Sequence, residues 1–148
     1  MLTRKLLLKE YDMALNLAWR VFERFEAPEY SDEGVENFRK TIQEPSFSER
    51  ICCYGAFDEN QLVGMLATRN EGAHIALFFV EEAYHRRGIG RDMFALALSA
   101  SKTDAITVNS SPFAVQVYRQ LGFVETKPEQ LLDGIRFTPM IYEKTHHS

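Results

Sequence analysis

The chain has 148 residues, 45% of them hydrophobic, and a formal net charge of −4. This length and apolar content fit one domain with a sizeable core. The acidic balance argues against a nucleic-acid partner, since binding a phosphate backbone calls for a broad basic surface. The longest early apolar run, Leu6 to Leu8, is too short to span a membrane and no signal-peptide pattern follows it, so we expect a cytoplasmic protein.

The first third of the chain predicts one strand and two helices. Residues 5–8 form a plausible strand, and Asp12 can cap a helix with one broad apolar stripe. The stripe consists of Ala14, Leu15, Ala18, Trp19, Phe22 and Phe25. An acid-rich loop over residues 26–34 follows, and a second short helix is expected with Ser31 or Asp32 near its start.

The middle of the chain predicts three antiparallel strands. Residues 51–57 and 62–68 are strand-like runs separated by four polar residues, which is typical of a hairpin. A second turn over residues 69–72 leads into an apolar run at 74–80, whose composition indicates a strand covered on both faces. The two cysteines, Cys52 and Cys53, are adjacent in the first of these strands, so they point to opposite faces and are expected to be free thiols. No second Cys pair or His pair stands at ligand spacing, so no metal site is expected.

A short basic loop, HRRGIG, connects the run at 74–80 to a helix over residues 89–100. Gly88 and Gly90 allow a tight turn and leave the backbone amides open to a ligand. Amides at a helix start carry partial positive charge, and three arginines, Arg86, Arg87 and Arg91, add formal charge, so the loop suits a pyrophosphate. The alternative is a tight connection whose arginines are solvated.

Two common phosphate-binding motifs are absent from this loop. The kinase-type phosphate loop ends in Gly-Lys-Ser/Thr, whereas Gly90 is followed by Arg91 and Asp92. The dinucleotide fingerprint needs a third small residue where this chain has Met93.

The last third predicts a strand, a helix and two closing strands. Residues 105–109 form a short strand, parallel to the one at 74–80 because a helical crossover precedes it. Ser111 can cap the next helix, which ends at Gly122. Closing strands are expected at residues 123–125 and 135–142, joined by a polar loop.

HRRGIG resembles the acyl-coenzyme A signature of the GNAT superfamily of N-acetyltransferases, Gln/Arg-x-x-Gly-x-Gly/Ala. It departs from that signature at His85, a position that works largely through its backbone in the family. A second stretch, VNSSPFAVQVYRQLGF from Val108 to Phe123, resembles the family's strand-helix segment ending in Tyr-x-x-x-Gly-Phe. The element order β-α-α-β-β-β-α-β-α-β-β also resembles the GNAT fold over essentially the whole chain. The resemblance implies an α/β (α+β mixed sheet) fold, with the central sheet splayed between strands 4 and 5.

The resemblance implies an acetyl-CoA-dependent N-acetyltransferase that transfers an acetyl group directly to the primary amine of a small molecule or peptide. The pyrophosphate would be held by the loop residues, namely His85, Arg86, Arg87, Gly88, Ile89, Gly90 and Arg91. Backbone amides around Phe79 and Val80 would stabilise the charge on the thioester oxygen, and the pantetheine arm would bind there like an added strand.

Tyr118, at the tyrosine of the second motif, is the general acid that the resemblance implies. A phenol is protonated at neutral pH, so it can donate to the leaving thiolate and contact the donor. The alternative is an aromatic packing residue beside Phe123. Asn109 is a candidate contact to the acyl group or pantetheine, or else a turn residue. Some relatives carry Asn at the position of Ser111, so the serine weakens any contact to the donor that would be assumed there.

Three carboxylates, Glu26, Glu81 and Glu82, are candidates for the base that deprotonates the amine, and each is alternatively a solvated surface group. We favour Glu26, because it lies in the loop that borders the acceptor site in this family. Acids near the expected mouth of the site would favour a cationic acceptor, unless they form only a solvated face. They are Glu26, Glu29, Asp32 and Glu33.

Two other functions stay open at this point, and the acceptor is not identified. A non-catalytic acyl-CoA-binding or sensing domain would keep HRRGIG without transferring the acyl group. A nucleotide-binding module would respond to ATP or NAD rather than to coenzyme A. A homodimer is expected only as the commonest soluble assembly.

Overall fold

The computed structural model describes residues 1–146. Its strands are β1 (Leu2–Lys5), β2 (Cys52–Asp58), β3 (Gln61–Arg69), β4 (His74–Val80), β5 (Ala105–Ser110), β6 (Val124–Glu125), β7 (Gln130–Leu132) and β8 (Ile135–Glu143). Its α-helices are α1 (Tyr11–Phe25), α2 (Asp32–Gln43), α3 (Pro45–Arg50), α4 (Ile89–Ala100) and α5 (Val115–Leu121). Short 3₁₀ turns occupy several of the connections between them.

The strands form one mixed sheet in the order β1-β2-β3-β4-β5-β8-β6, with β7 paired to β8. The predicted meander is present, since β2, β3 and β4 pair in sequence and antiparallel, and β4 pairs with β5 in parallel. The predicted α/β class with a mixed sheet is therefore confirmed. None of the helices formed by residues 1–146 combines the length and apolar character needed to cross a bilayer.

Helices cover both faces of the sheet. One buried cluster joins α1, α2 and α3 to one face, and a second joins α4 and α5 to the other. The side chains of β4 divide between them, because Leu77 and Phe79 belong to the first cluster while Phe78 and Val80 pack on the second. The uninterrupted apolar run in the sequence reflects this double coverage.

β4 and β5 pair over only two residues before they separate. The pairs are His74 with Thr107 and Ile75 with Val108. The register between β3 and β4 shifts beside this point, since Ala67 faces Leu77 while Thr68 faces Ile75. Such a bulge bends a strand, and here it accompanies the predicted splay between strands 4 and 5.

Several boundaries differ from the predictions for local reasons. β1 covers Leu2–Lys5 and not 5–8, because Leu8 begins a 3₁₀ turn. α1 starts at Tyr11, with Glu10 rather than Asp12 at the N-cap position. α3 and β7 were not predicted, since six and three residues are too short to show a period.

The predicted starts of α2 and of the segment before α5 agree with the structure. The Ser31 side chain accepts a hydrogen bond from the Gly34 amide at the start of α2. The Ser111 side chain accepts one from the Ala114 amide, 3.2 Å away, and Gly122 follows the last residue of α5. Short polar side chains at these positions satisfy amides that the helices leave free.

Candidate active site

The separation of β4 from β5 leaves one edge of β4 without a strand partner. The Glu81 amide donates to the Val63 carbonyl across from β3 at 2.8 Å. Backbone groups of successive residues alternate between the two sides of a strand, so the amides of Phe78 and Val80 point towards β5 while that of Phe79 points to β3. The amides that face away from β3 are therefore those of Phe78 and Val80, and the donor-binding roles predicted for Phe79 and Val80 stay predictions.

His85 acts through its side chain as well as its backbone. Its Nε2 lies 2.7 Å from the Val80 carbonyl oxygen. A carbonyl can only accept, so Nε2 carries the proton and donates it. This bond fixes the start of the loop to the end of β4.

The loop from His85 to Arg91 has the open backbone that its glycines predict. Gly88 has φ of 78° and is the residue before α4, and a Cβ there would meet no protein atom within 4 Å. Arg86 also has a positive φ, 65°, which is uncommon for a residue with a side chain. Ile89, the first residue of α4, is buried and anchors the helix.

The loop arginines are exposed cations without a carboxylate partner. Arg86, Arg87 and Arg91 are all exposed, and none takes part in the ion pairs found within residues 1–146. The Arg87 guanidinium lies over the Tyr84 ring, 5.1 Å from its centroid. Their charge is thus available to an anion at the start of α4.

Phe78 connects this loop to Tyr118. A Cβ on Gly90 would lie 3.1 Å from the Phe78 ring, so the loop backbone approaches that ring closely. The Phe78 and Tyr118 rings meet edge to face with centroids 5.7 Å apart. Tyr118 also packs on Phe123, as its alternative interpretation predicts, and is 5% exposed. Burial raises the pKa of its phenol, and the neighbouring Glu26 and Tyr30 raise it further.

Glu26 lies at the end of α1, beside Ser111 and the two tyrosines. Burial raises the pKa of its carboxyl to about 7, although a hydrogen bond with the Ser111 side chain opposes the shift. Burial, and then Glu26, also raise the pKa of Tyr30. The structure therefore brings Glu26, Tyr30, Ser111 and Tyr118 into one cluster.

Phe25, the residue before Glu26, contacts both sides of the cleft that opens where β4 and β5 separate. Its ring centroid lies 5.4 Å from that of His85 and 5.1 Å from that of Phe113. Phe113 belongs to the segment between β5 and α5. The end of α1 is thereby held against both the loop and the start of the second motif.

The other predicted carboxylates have different partners. Glu81 pairs with Arg20 at 2.7 Å and Glu82 pairs with Arg24 at 3.0 Å, so both tie the end of β4 to α1. Glu29 pairs with Arg136 at 2.9 Å, which offsets part of the negative charge predicted at the mouth of the site. Asp32 and Glu33 are exposed in the first turn of α2, outside the cluster around Glu26.

A groove beside this cluster lies between α2 and the hairpin of β7 and β8. Its volume is about 640 Å³. Tyr30 and Asn109 line it together with Asn37, Thr41, Leu132 and Phe137. Asn109 lies within β5, opposite Pro139 of β8, and not in a turn. Tyr30 belongs to both the groove and the Glu26 cluster.

Sequence reasoning did not identify Tyr30, the Ser111 contact to Glu26, or this groove. Ser111 was predicted as a helix cap and noted as the position where some relatives carry Asn, and Tyr30 stands among polar residues with no periodic pattern. Within residues 1–146, no three His, Cys, Asp or Glu side chains form a group that could hold a metal ion.

The amino-acid sequence matches a known protein family over most of its length. A model of the acetyltransferase (GNAT) domain matches residues 26–144. A comparison with curated protein sequences finds no match.

Solved structures share the fold. A GCN5-related N-acetyltransferase from Rhodopseudomonas palustris is 18% identical with a TM-score of 0.78, covering 96% of this chain and 94% of that one. The PaiA N-acetyltransferase from Thermoplasma acidophilum, solved in complex with coenzyme A, is 19% identical with a TM-score of 0.73, covering 96% and 98%. Apo YjaB from Escherichia coli is 20% identical with a TM-score of 0.72, covering 95% and 96%. Because the family model spans most of the chain, the protein belongs to the GNAT family of acetyltransferases and is an acyltransferase.

Proposed function

We propose that the protein is an acetyl-CoA-dependent N-acetyltransferase that transfers the acetyl group directly to a primary amine. The observation that carries this proposal is the carboxyl of Glu26, whose pKa is raised to about 7 beside the buried phenol of Tyr118. Two neighbouring groups with different proton affinities are what an acid-base pair requires.

The residues around the β4–β5 cleft fit acyl-coenzyme A. Gly88 faces open space, the three loop arginines are exposed without ion pairs within residues 1–146, and the β4 edge offers amides. The amides at the start of α4 and the arginines would hold the pyrophosphate. The edge of β4 at Phe78 and Val80, where the Val80 carbonyl already accepts a hydrogen bond from His85, would hold the pantetheine arm through its amides. The coenzyme A complex of the PaiA protein, which shares the fold, supports this assignment.

Glu26 would act as the general base. A carboxyl with a pKa of about 7 is partly ionised at neutral pH and still basic enough to take a proton from an ammonium group. Ser111 would orient this carboxylate, since its hydroxyl accepts a hydrogen bond from the Ala114 amide and interacts with Glu26 so as to oppose the rise of the Glu26 pKa. Tyr30, which lines the groove, lies next to it.

Tyr118 would act as the general acid and the β4 edge would stabilise charge. When bound, acetyl-CoA supplies an acyl group already activated as a thioester. The raised pKa keeps the Tyr118 phenol protonated, so it can donate to the sulfur that departs. The amides of Phe78 and Val80 would donate to the carbonyl oxygen as negative charge develops on it.

The test is an amine-library screen that follows release of free coenzyme A from acetyl-CoA. We expect release with at least one class among peptides, polyamines, amino acids and amino-sugars. With the best amine, Glu26→Gln should lower kcat/KM by about 100-fold or more, while Glu23→Gln, an exposed glutamate on the same helix, should leave it unchanged.

Two outcomes would favour the other functions. Binding of acetyl-CoA without release for any amine would support a non-catalytic acyl-CoA-binding domain. Equal thermal shifts with ATP, NAD and coenzyme A would contradict the assignment of the loop to acyl-coenzyme A.

We also propose that the chain is one domain in a reducing, cytoplasmic compartment. Strands from Leu2 to Glu143 join one sheet, which supports a single unit. Cys52 and Cys53 are both free, and Cys53 is buried. A homodimer stays a prediction that sedimentation at several protein concentrations would test.

A further inference from the structure

The groove between α2 and the hairpin of β7 and β8, which we assign to the acceptor, has two walls that contact each other. The Ser31 amide and side-chain hydroxyl each donate to the Gly134 carbonyl at 3.4 Å, and the Asn37 side-chain amide donates to the Asp133 carbonyl at 3.1 Å. The Arg136–Glu29 pair adds a charged contact at 2.9 Å. We call these contacts, between residues 29–37 and residues 133–136, the hairpin clasp.

Two glycines let the backbones of the hairpin clasp touch. A Cβ on Gly34 would overlap the Gly134 carbonyl oxygen, and a Cβ on Gly134 would overlap the Ser31 hydroxyl. Gly134 has φ of 78°, a conformation that residues with side chains rarely adopt. No side chain fits between the walls at this line, and neither does a second main chain.

The hairpin clasp therefore closes one side of the groove. The groove extends from Tyr30 and Asn109, near Glu26, to Lys40 and Glu44 towards the end of α2. Its volume of about 640 Å³ is large enough to accommodate a small molecule. Leu132 and Phe137 give the hairpin wall an apolar character.

We propose that the acceptor is a small-molecule amine and not an internal lysine of a polypeptide. A lysine within a chain brings main chain on both sides of itself, which needs a groove that is open along its length. The hairpin clasp occupies one of those two paths. This inference rests on the proposed transfer to an amine and adds the class of that amine.

The test uses two conjugates that do not depend on turnover. In both, the sulfur of coenzyme A is joined through a –CH₂–CO– linker to an amine. One carries n-butylamine and the other carries the internal lysine of a capped Ala-Ala-Lys-Ala-Ala peptide, whose side chain is the same butylamine. Dissociation constants for both, and for coenzyme A alone, are measured by calorimetry on the full chain.

We expect the butylamine conjugate to bind at least as tightly as coenzyme A, and the peptide conjugate about 30-fold or more weakly than the butylamine one. Equal affinities of the two conjugates would overturn the inference and leave the proposed function intact. Failure of coenzyme A itself to bind would instead overturn the proposed function.

A pair of variants tests whether the hairpin clasp causes the difference. Ser31→Ala combined with Asn37→Ala removes the two side chains that bond to the backbone of the hairpin, and should reduce the difference between the conjugates to about 5-fold or less. Arg39→Ala is the matched control, since Arg39 lies on α2 but pairs with Glu36. A difference that persists unchanged in the double variant would contradict the role of the hairpin clasp.

Discussion

The donor side and the acceptor side of the proposed site are built in different ways. The donor side consists of the β4 edge, the loop from His85 to Arg91 and the start of α4, which are consecutive in the chain. It offers backbone amides and exposed arginines. The acceptor side consists of Glu26, Tyr30 and Ser111, together with the groove between α2 and the β7–β8 hairpin. It offers two partly buried titratable side chains from the segment after α1 and a buried serine from the segment after β5.

This difference separates binding from chemistry. Backbone amides keep their partial positive charge at every pH, and the turn of the loop is enough to point them at a ligand. The donor side therefore depends on backbone conformation. The Glu26 carboxyl depends on its surroundings, because burial sets its pKa. Substitutions on the donor side should therefore change affinity, whereas substitutions on the acceptor side should change rate and pH dependence.

The largest effect is expected on the pH profile. Wild-type kcat/KM should rise with pH with an apparent pKa near 7, because Glu26 must be ionised to accept a proton. In Glu26→Gln we expect kcat/KM to fall about 100- to 1000-fold and to lack this rising limb of the pH profile. Steady-state rates from pH 5.5 to 9 check this, and an unchanged limb in the variant would assign the titration to another group.

The next effect is on stability, because the same burial that raises the pKa of Glu26 penalises its charged form. Its pKa is about 7 in the fold against an ordinary value of 4.5, so the folded state holds more protons between these values. The free energy of unfolding therefore falls as pH rises from about 4.5 to about 7 and stays lowered above that.

Glu26→Gln removes this titration. The free energy of unfolding of the variant, relative to that of wild type, should therefore increase by about 2–3 kcal/mol as pH rises from 5 to 8. Urea unfolding at both pH values measures the gain. Glu23→Gln serves as the exposed control, and an equal gain in both variants would contradict burial as the cause.

A smaller effect is expected at Tyr118, where the two sides meet. Tyr118→Phe keeps the ring contacts with Phe78 and Phe123 and removes only the hydroxyl. We expect kcat to fall about 10- to 100-fold with little change in acetyl-CoA affinity. Tyr142→Phe, another buried tyrosine of the same cluster, is the control. A loss of affinity without a loss of kcat would make Tyr118 a packing residue.

The smallest effect should be confined to the donor side. Gly90→Ala places a methyl group against the Phe78 ring, so the loop must shift away from the β4 edge. We expect the dissociation constant for coenzyme A to rise about 10-fold, with the pH limb of kcat unchanged. Gly64→Ala is the control, because its Cβ would lie 3.0 Å from the flexible end of Met93 and in ordinary van der Waals contact with Ile89 and Val80, without displacing the loop backbone. A shifted pH limb in Gly90→Ala would show that the two sides are coupled.

Prediction from the sequence succeeded where structure is local. β4 at His74–Val80 and α4 at Ile89–Ala100 have the predicted boundaries, because β4 is a short continuous apolar run, α4 shows a helical period, and the two glycines of the loop separate them. The free cysteines and the cap at Ser31 also agree with local signals. α3 and β7 are too short to show a period, and the shift of β1 follows from its pairing with β2.

The sequence by itself determined the donor half of this protein, since a strand, two glycines and a helix start produce an amide-lined loop through the backbone of neighbouring residues. It also named Glu26 and Tyr118 as candidates through a resemblance. Only the tertiary structure decided that Glu26 lies beside Ser111 and Tyr30, that Phe78 rather than Phe79 turns its amide to the cleft, and that the hairpin contacts α2 beside the groove. The physical reason is that a pKa, the side to which an amide points and the width of a groove depend on atoms from distant parts of the chain, which no local pattern records.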